Sequence, residues 1–172
     1  LDLREFRVVG IVDKAKPVGD CVGGIPVIGG EEVLLEIYEQ GVQAAFIAFG
    51  STRVTRERRA CYERLSRLGF SFPCIIDRTA LISRSAIIGE GTYVGKGAIL
   101  GNSVRVGINS IINTGVIVEH DCNIGSHVHI APGSTLSGGV SVGDGTHIGT
   151  NSTVIENIAI GEGSLIGAGS VV

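Results

Sequence analysis

The sequence predicts a parallel β-helix over residues 75–172, preceded by an α/β domain over residues 1–74. Three observations carry the β-helix. Seventeen aliphatic residues fall on one ladder with a step of six and no slip: Ile76, Ile82, Ile88, Val94, Leu100, Val106, Ile112, Val118, Ile124, Ile130, Leu136, Val142, Ile148, Val154, Ile160, Ile166 and Val172. Glycine follows nine of these rungs, at 89, 95, 101, 107, 125, 143, 149, 161 and 167. The fourth residue after a rung is small or β-branched, as at Thr92, Ala98, Ser110, Val116, Cys122 and Ser134. A fixed hexad of this kind is the mark of stacked parallel strands.

The geometry follows from the period. Each hexad is one flat strand and one corner, and three hexads close a triangle. Residue i therefore stacks on residue i+18, at roughly the 4.8 Å inter-strand spacing. Rungs and fourth residues point into a narrow column, so aliphatic and small side chains alternate there. The post-rung glycines are expected to relax tight corners through positive φ. No rung is skipped, so no long loop interrupts the coil. Neither an amphipathic helix nor a period-two sandwich explains a step of six.

The first segment differs in composition. Ten of the fourteen Lys and Arg residues and seven of the eight aromatics precede residue 75. Phe6 to Asp13 reads as a buried strand ending in an acid, and Gly24 to Gly29 as a short strand or turn. Glu31 to Gln40 has helical apolar spacing through Val33, Leu34 and Ile37. Ala44 to Phe49 reads as a second buried strand closed by Gly50, and Thr55 to Leu68 as a helix with Cys61, Leu65 and Leu68 on one face. Strands alternating with helices suggest a parallel, doubly wound sheet. The basic run Arg53, Arg56, Arg58, Arg59, Arg64 and Arg67 is expected to be the solvated face of that helix.

The net charge of −3, with both signs mixed, argues against a nucleic-acid partner. No apolar run is long enough to predict a membrane span, and no signal peptide is visible. Cys21, Cys61, Cys74 and Cys122 form no CxxC pair and read as reduced structural thiols of a cytoplasmic protein. The sequence lacks Met, begins at what reads as a second strand and stops on a rung without a cap, so further residues are expected at both ends.

All four histidines, 120, 127, 129 and 147, lie in the coil. His120 falls two positions after rung Val118, near a corner, and Asp121 follows it. Gly138 lies eighteen residues on, so it stacks one coil above His120. A glycine there leaves room beside the imidazole and exposes a backbone N–H. A general base beside a bare N–H is the minimum for acyl transfer. Asp121 can orient His120 and raise its basicity if a corner, or a neighbouring subunit, brings the two together, since neighbours on a flat strand face opposite ways. Glu119 is the competing carboxylate. His129 and His147 stack, but two ligands do not make a metal site. His127 and His147 are expected to be surface decoration.

At this point the residues resemble a family. The hexad ladder resembles the left-handed β-helix acyltransferases. Two further segments narrow the resemblance: Gly24-Ile25-Pro26-Val27-Ile28-Gly29, and the stretch from Ile112 to Gly125 containing Asn113, Glu119, His120, Asp121 and Cys122. With the α/β half, they look like the bacterial sugar O-/N-acyltransferases of the sialic-acid and bacillosamine (NeuD/PglD) type. The resemblance implies an incomplete Rossmann-like domain over 1–74 that binds a nucleotide-sugar, its Gly-rich phosphate loop lying outside this sequence, and a left-handed β-helix over 75–172. It implies acetyl-CoA as co-substrate, a sugar or nucleotide-sugar acceptor in surface-glycan biosynthesis, and a homotrimer with sites between adjacent coils. It implies His120 as general base supported by Asp121, with Asn113 in the pocket. His129, Gly138 and Thr150 fall on the acetyl-CoA side, Gly138 offering its N–H to the thioester carbonyl. Asp13 and Gly50 match positions near the nucleotide. No metal is implied.

Other classes remain open from sequence. A serine or simple-sugar acetyltransferase shares the coil but usually has a helical N-terminal segment. A zinc-dependent, carbonic-anhydrase-like coil needs three histidines; none has a suitable spacing from His120 along the chain, which leaves His129 across a subunit boundary. A non-catalytic solenoid does not account for Asn113, His120, Asp121 and Gly138 together.

Overall fold

The computed structural model describes residues 6–51 and 55–172. The chain forms two compact units: residues 1–45 with 65–71, and residues 46–64 with 72–172.

The first unit holds a three-stranded sheet in the order β1-β3-β2, from β1 (Ile11–Val12), β2 (Cys21–Val22) and β3 (Ile25–Gly29). β1 pairs with β3 parallel, and β2 with β3 antiparallel. A 3₁₀ turn (Glu31–Val33) leads into α1 (Leu34–Glu39). Val27, Leu34, Leu65 and Phe70 are buried, and Tyr38 meets Phe70 edge-on at 5.1 Å. The expected strands are shorter than their apolar runs. Only Ile11 and Val12 of the 6–13 run are a strand, and Val8 and Val9 are exposed. Of the 44–49 run, Ala44 makes an isolated bridge to Ser71 and Phe49 is exposed. β1 has one strand neighbour among the described residues.

In chain order α2 (Arg56–Arg67) precedes the coil, its residues up to Arg64 counting with the second unit. The coil comprises sixteen two-residue strands, β4 (Ile75–Ile76) to β19 (Leu165–Ile166), and the second residue of each is a rung. They form three parallel sheets in which every third strand pairs at a register of eighteen, as Ile111 opposite His129 and Ile117 opposite Thr135. We call these the first face (six strands, from β4), the second face (five, from β5, Leu81–Ile82) and the third face (five, from β6, Ile87–Ile88).

Rungs from Val94 to Val154 are almost completely buried, as are the fourth residues Ala98, Val104, Ser110, Val116, Cys122 and Val128. Each buried aliphatic contributes about 1.5–3 kcal/mol relative to exposure. The small polar fourth residues are satisfied by the next coil. Thr92 Oγ1 donates to Gly107 O at 2.9 Å, Ser134 Oγ to Gly149 O at 2.8 Å, and Ser152 Oγ to Gly167 O at 2.8 Å. Hydroxyls can thus sit in the column without an unpaired buried donor.

The corners correct one expectation. The left-handed residue is the third after a rung, not the first. It is glycine at Gly97 and Gly115, but Ser103, Asn109, Asp121, His127, Asn151 and Asn157 also adopt positive φ there, between 52° and 62°. The post-rung glycines serve another purpose. A Cβ on Gly95 would lie 2.8 Å from Thr114 N, and one on Gly101 2.8 Å from His120 N. From Gly89 to Gly149 they are glycine because the backbone of the next coil passes over them.

Candidate active site

The corner between the second and third faces carries His120. It follows β11 (Ile117–Val118) and precedes β12 (Asn123–Ile124). Asp121 takes the left-handed position, with φ of 61°. That turn brings two sequence neighbours onto one side, and Asp121 Oδ2 lies 2.9 Å from His120 Nδ1. Asp, not Glu119, is therefore the carboxylate on the imidazole. A carboxylate only accepts, so Nδ1 carries the proton and Nε2 is left as the basic nitrogen.

One coil above, Gly138 faces the ring. A Cβ at residue 138 would lie 2.7 Å from His120 Cε1 and 2.8 Å from Nε2. Any side chain there would expel the imidazole. The backbone is pinned around the pair: Gly139 N donates to His120 O at 2.9 Å, and Asn157 N to Gly138 O at 3.0 Å. The Gly138 N–H donates to no acceptor among the described residues. Cys122, next along, points into the column, where its Sγ meets Ser137 O at 3.1 Å and burial raises its pKa. A buried thiol held protonated is a poor nucleophile.

Asn113 and His129 are brought together elsewhere. His129 projects outward from β13 (His129–Ile130) on the first face, and Asn113 follows β10 (Ile111–Ile112) on the same face. Asn113 Nδ2 lies 3.2 Å from His129 Nε2, and His129 Nδ1 lies 2.6 Å from Ser51 O. His129 is buried, and burial lowers its pKa, with His147 and Arg58 adding to the fall. One chain thus places His120 at one corner of the triangle and the Asn113–His129 pair toward another.

Residues 46–51 and 55–64 shape this part of the coil and overturn two expectations. Arg58 is buried, not solvated. Its guanidinium donates to the carbonyls of Ile47, Phe49, Gly91 and Asn109, and burial pulls its pKa down to about 10. Arg56, Arg59, Arg64 and Arg67 are exposed as expected, and Arg53 lies outside the described residues. His127 and His147 are likewise buried rather than surface decoration. His127 packs edge-on against Tyr62 at 5.6 Å, with its Nδ1 3.0 Å from Asn109 Nδ2. His147 packs edge-on against His129 at 4.8 Å. Burial lowers both pKa values. A coil face reads as solvent-exposed from the hexads alone, and nothing in their pattern announces the segment that covers it. Among the described residues, no three His, Cys, Asp or Glu side chains converge to hold a metal ion.

Comparison with known proteins supplies the class. The family "Bacterial transferase hexapeptide (six repeats)" matches residues 139–172, and "Hexapeptide repeat of succinyl-transferase" matches 85–120 and 115–155. A histidine-to-alanine variant of GDP-perosamine N-acetyl transferase from Caulobacter crescentus, in complex with CoA and GDP-perosamine, is 36% identical with a TM-score of 0.89, over 95% of this chain and 75% of its own. The chain belongs to the sugar acyltransferases of the hexapeptide-repeat superfamily. It is an acyltransferase. The acetyltransferase domain of PglB from Neisseria gonorrhoeae, in complex with acetyl coenzyme A, is 33% identical with a TM-score of 0.83, over 95% of this chain and 77% of its own. WeeI from Acinetobacter baumannii, 24% identical with a TM-score of 0.80, shares the fold. No curated protein matches the sequence.

The remaining expected site residues of this acyltransferase are Thr150, Asp13 and Gly50. Thr150 is exposed at the corner after β16 (His147–Ile148), where its carbonyl accepts from Gly169 N at 2.8 Å. Asp13 follows β1 and accepts from Ala15 N at 2.8 Å. Gly50 is exposed, with open space where a Cβ would stand. No described helix is long and apolar enough to cross a membrane.

Proposed function

We propose that this acyltransferase moves an acetyl group directly from acetyl-CoA to an amine or hydroxyl of a nucleotide-linked sugar, in bacterial surface-glycan biosynthesis. The observation that carries the proposal is the His120 corner, where Asp121 holds Nδ1, Nε2 is free, and Gly138 leaves the space and an undonated N–H beside it. His120 Nε2 takes the acceptor proton as the nitrogen or oxygen attacks the thioester carbonyl. The Gly138 N–H steadies the oxyanion. The carbon–sulfur bond breaks, CoA leaves as thiolate, and the imidazolium returns the proton.

Relatives support the substrates. The Caulobacter enzyme holds CoA and GDP-perosamine together, and the Neisseria domain holds acetyl-CoA. An amino sugar is therefore the first acceptor to try. In this reading residues 1–74 form the Rossmann-like acceptor domain, with Asp13 and Gly50 at its nucleotide end. Residues 75–172 form the left-handed β-helix with His129, Gly138 and Thr150 along the CoA arm. A cytoplasmic homotrimer completes the site, since a second copy is needed to set Asn113 and His129 against His120. The exposed outward side chains Leu81, Ile87 and Ile99 suit such a contact.

Thiol release from acetyl-CoA tests this. The panel is GDP-perosamine, UDP-linked amino sugars, free sialic acid and serine, with His120→Ala as control. Release with one nucleotide-linked sugar, lost in the variant, is expected. Release with serine alone would overturn the sugar reading.

A further inference from the structure

The corner that carries His120 continues downward through stacked neighbours. Asn102 lies eighteen residues before His120, and Asp121 N donates to the Asn102 main-chain oxygen at 2.9 Å. Asn102 therefore sits one turn beneath the base, roughly 4.8 Å along the coil. It is exposed. The two sides of the base are unlike. Above it, Gly138 and Gly139 present no side chain. Below it, Asn102 presents a carboxamide.

A run of hydroxyls sets the orientation of that carboxamide. Ser103 N donates to Ser85 Oγ at 2.9 Å. Ser85 Oγ lies 3.1 Å from Ser83 Oγ, and Ser85 N donates to Ser83 Oγ at 3.5 Å. Ser83 Oγ in turn donates to Asn102 Oδ1. A hydroxyl has one hydrogen to give, and here that of Ser83 goes to the amide oxygen. The oxygen end of Asn102 is thereby held, and Nδ2 keeps both of its hydrogens. Neither has a partner among the described residues.

In the direct-transfer scheme the thioester carbonyl occupies the Gly138 side of His120. The sugar then reaches Nε2 past the turn beneath, which is exposed and carries two unused N–H donors. A sugar is dense in oxygens that accept such hydrogens. We propose that Asn102 is a sugar-binding residue, whose Nδ2 donates to a ring or hydroxyl oxygen beside the amine or hydroxyl that His120 deprotonates. This subsite rests on the acyl-transfer reading and deepens it: the turn above His120 serves the thioester and the turn below serves the sugar. Asn102 shares the chain and the corner of the base, so this contact needs no residue from a second copy.

Two variants test it, with the panel sugar that the wild type acetylates, GDP-perosamine first. Asn102→Ala removes the amide. Asn102→Asp keeps an oxygen for Ser83 Oγ but replaces the donated hydrogens with a carboxylate, which only accepts. Both are expected to raise the sugar KM about tenfold or more, as the loss of a hydrogen bond to substrate does. The KM for acetyl-CoA and kcat are expected to stay within about threefold of wild type. A loss confined to Asn102→Ala would mean that the amide only holds the turn through Ser83. A loss confined to Asn102→Asp would mean that an added charge, not a missing donor, repels the substrate. No loss in either would remove the contact. Each of these three outcomes overturns the proposal. Wild-type protein inert with every nucleotide-linked sugar of the panel would overturn the sugar acyl-transfer reading and the subsite with it. An active wild type whose variants keep its sugar KM overturns the subsite alone.

Discussion

Gly138 stands where a side chain would strike the imidazole of His120: a Cβ there would lie 2.7 Å from Cε1. Gly138 is not among the positive-φ glycines, so alanine is tolerated by the backbone and refused only by the ring. Gly138→Ala is therefore expected to fold, with a melting temperature within a few degrees of wild type, and to lose about 10²-fold in kcat as the base is displaced. Unchanged turnover would remove the stacked geometry from the mechanism.

Direct transfer needs a base but no protein nucleophile. His120→Ala is expected to lose about 10²–10⁴-fold in kcat. Cys122→Ala, which removes a buried thiol bonded to Ser137 O, keeps substantial turnover. Steady-state rates of the two variants side by side decide the point, and equal losses would indicate a covalent thioester.

Stability should depend on pH through three buried imidazoles. His127, His129 and His147 are all held below the ordinary value of 6.5 by burial. On acidification through 6.5 the unfolded chain protonates first, while the folded rings stay neutral until lower pH. The unfolded state then binds more protons, so stability present near pH 7 is lost as pH falls toward the folded values. Calorimetric unfolding is expected to show Tm declining from about pH 7 to 5, with net proton uptake on unfolding. A flat Tm across that window would mean the rings are not held neutral.

Two glycines of one corner should respond unequally. Gly95 lies under the next coil's backbone, where a Cβ would meet Thr114 N at 2.8 Å. Gly97 has φ of 63° and open space around it. Gly95→Ala is expected to cost about 2–3 kcal/mol through displaced backbone, read by urea unfolding. Gly97→Asn is expected to cost less than about 1 kcal/mol, because asparagine tolerates the left-handed region and occupies the same position at Asn109, Asn151 and Asn157.

The coil was legible because its signal repeats. Each rung from Ile76 to Ile166 is the second residue of a strand, and register follows from period alone. His120 and Gly138 were legible for the same reason, since eighteen residues bring them face to face. The glycine after nine of the rungs was found, but its purpose was misread. Crowding by the next coil leaves the same letter in the sequence as positive φ. What the sequence did not disclose was the role of segment 46–64. Arg58 looks like one more surface cation in an arginine-rich helix, and only its four carbonyl partners show it to be a buried clamp. Ser51 meets His129 Nδ1 through its carbonyl at 2.6 Å and its hydroxyl at 3.3 Å, a contact that nothing in the hexads announces.

Because strand pairing in the coil joins only residues eighteen apart, each turn is bonded to its immediate neighbours and to nothing farther along. The His120–Gly138 pair needs two adjacent turns. Such a scaffold can gain or lose whole turns beyond that pair without disturbing the spacing across it, whereas an insertion of one residue throws every later rung out of line. Length in this architecture is therefore free to vary in steps of one triangle, which lets reach toward a long cofactor or a distant domain change while the chemistry stays where it is.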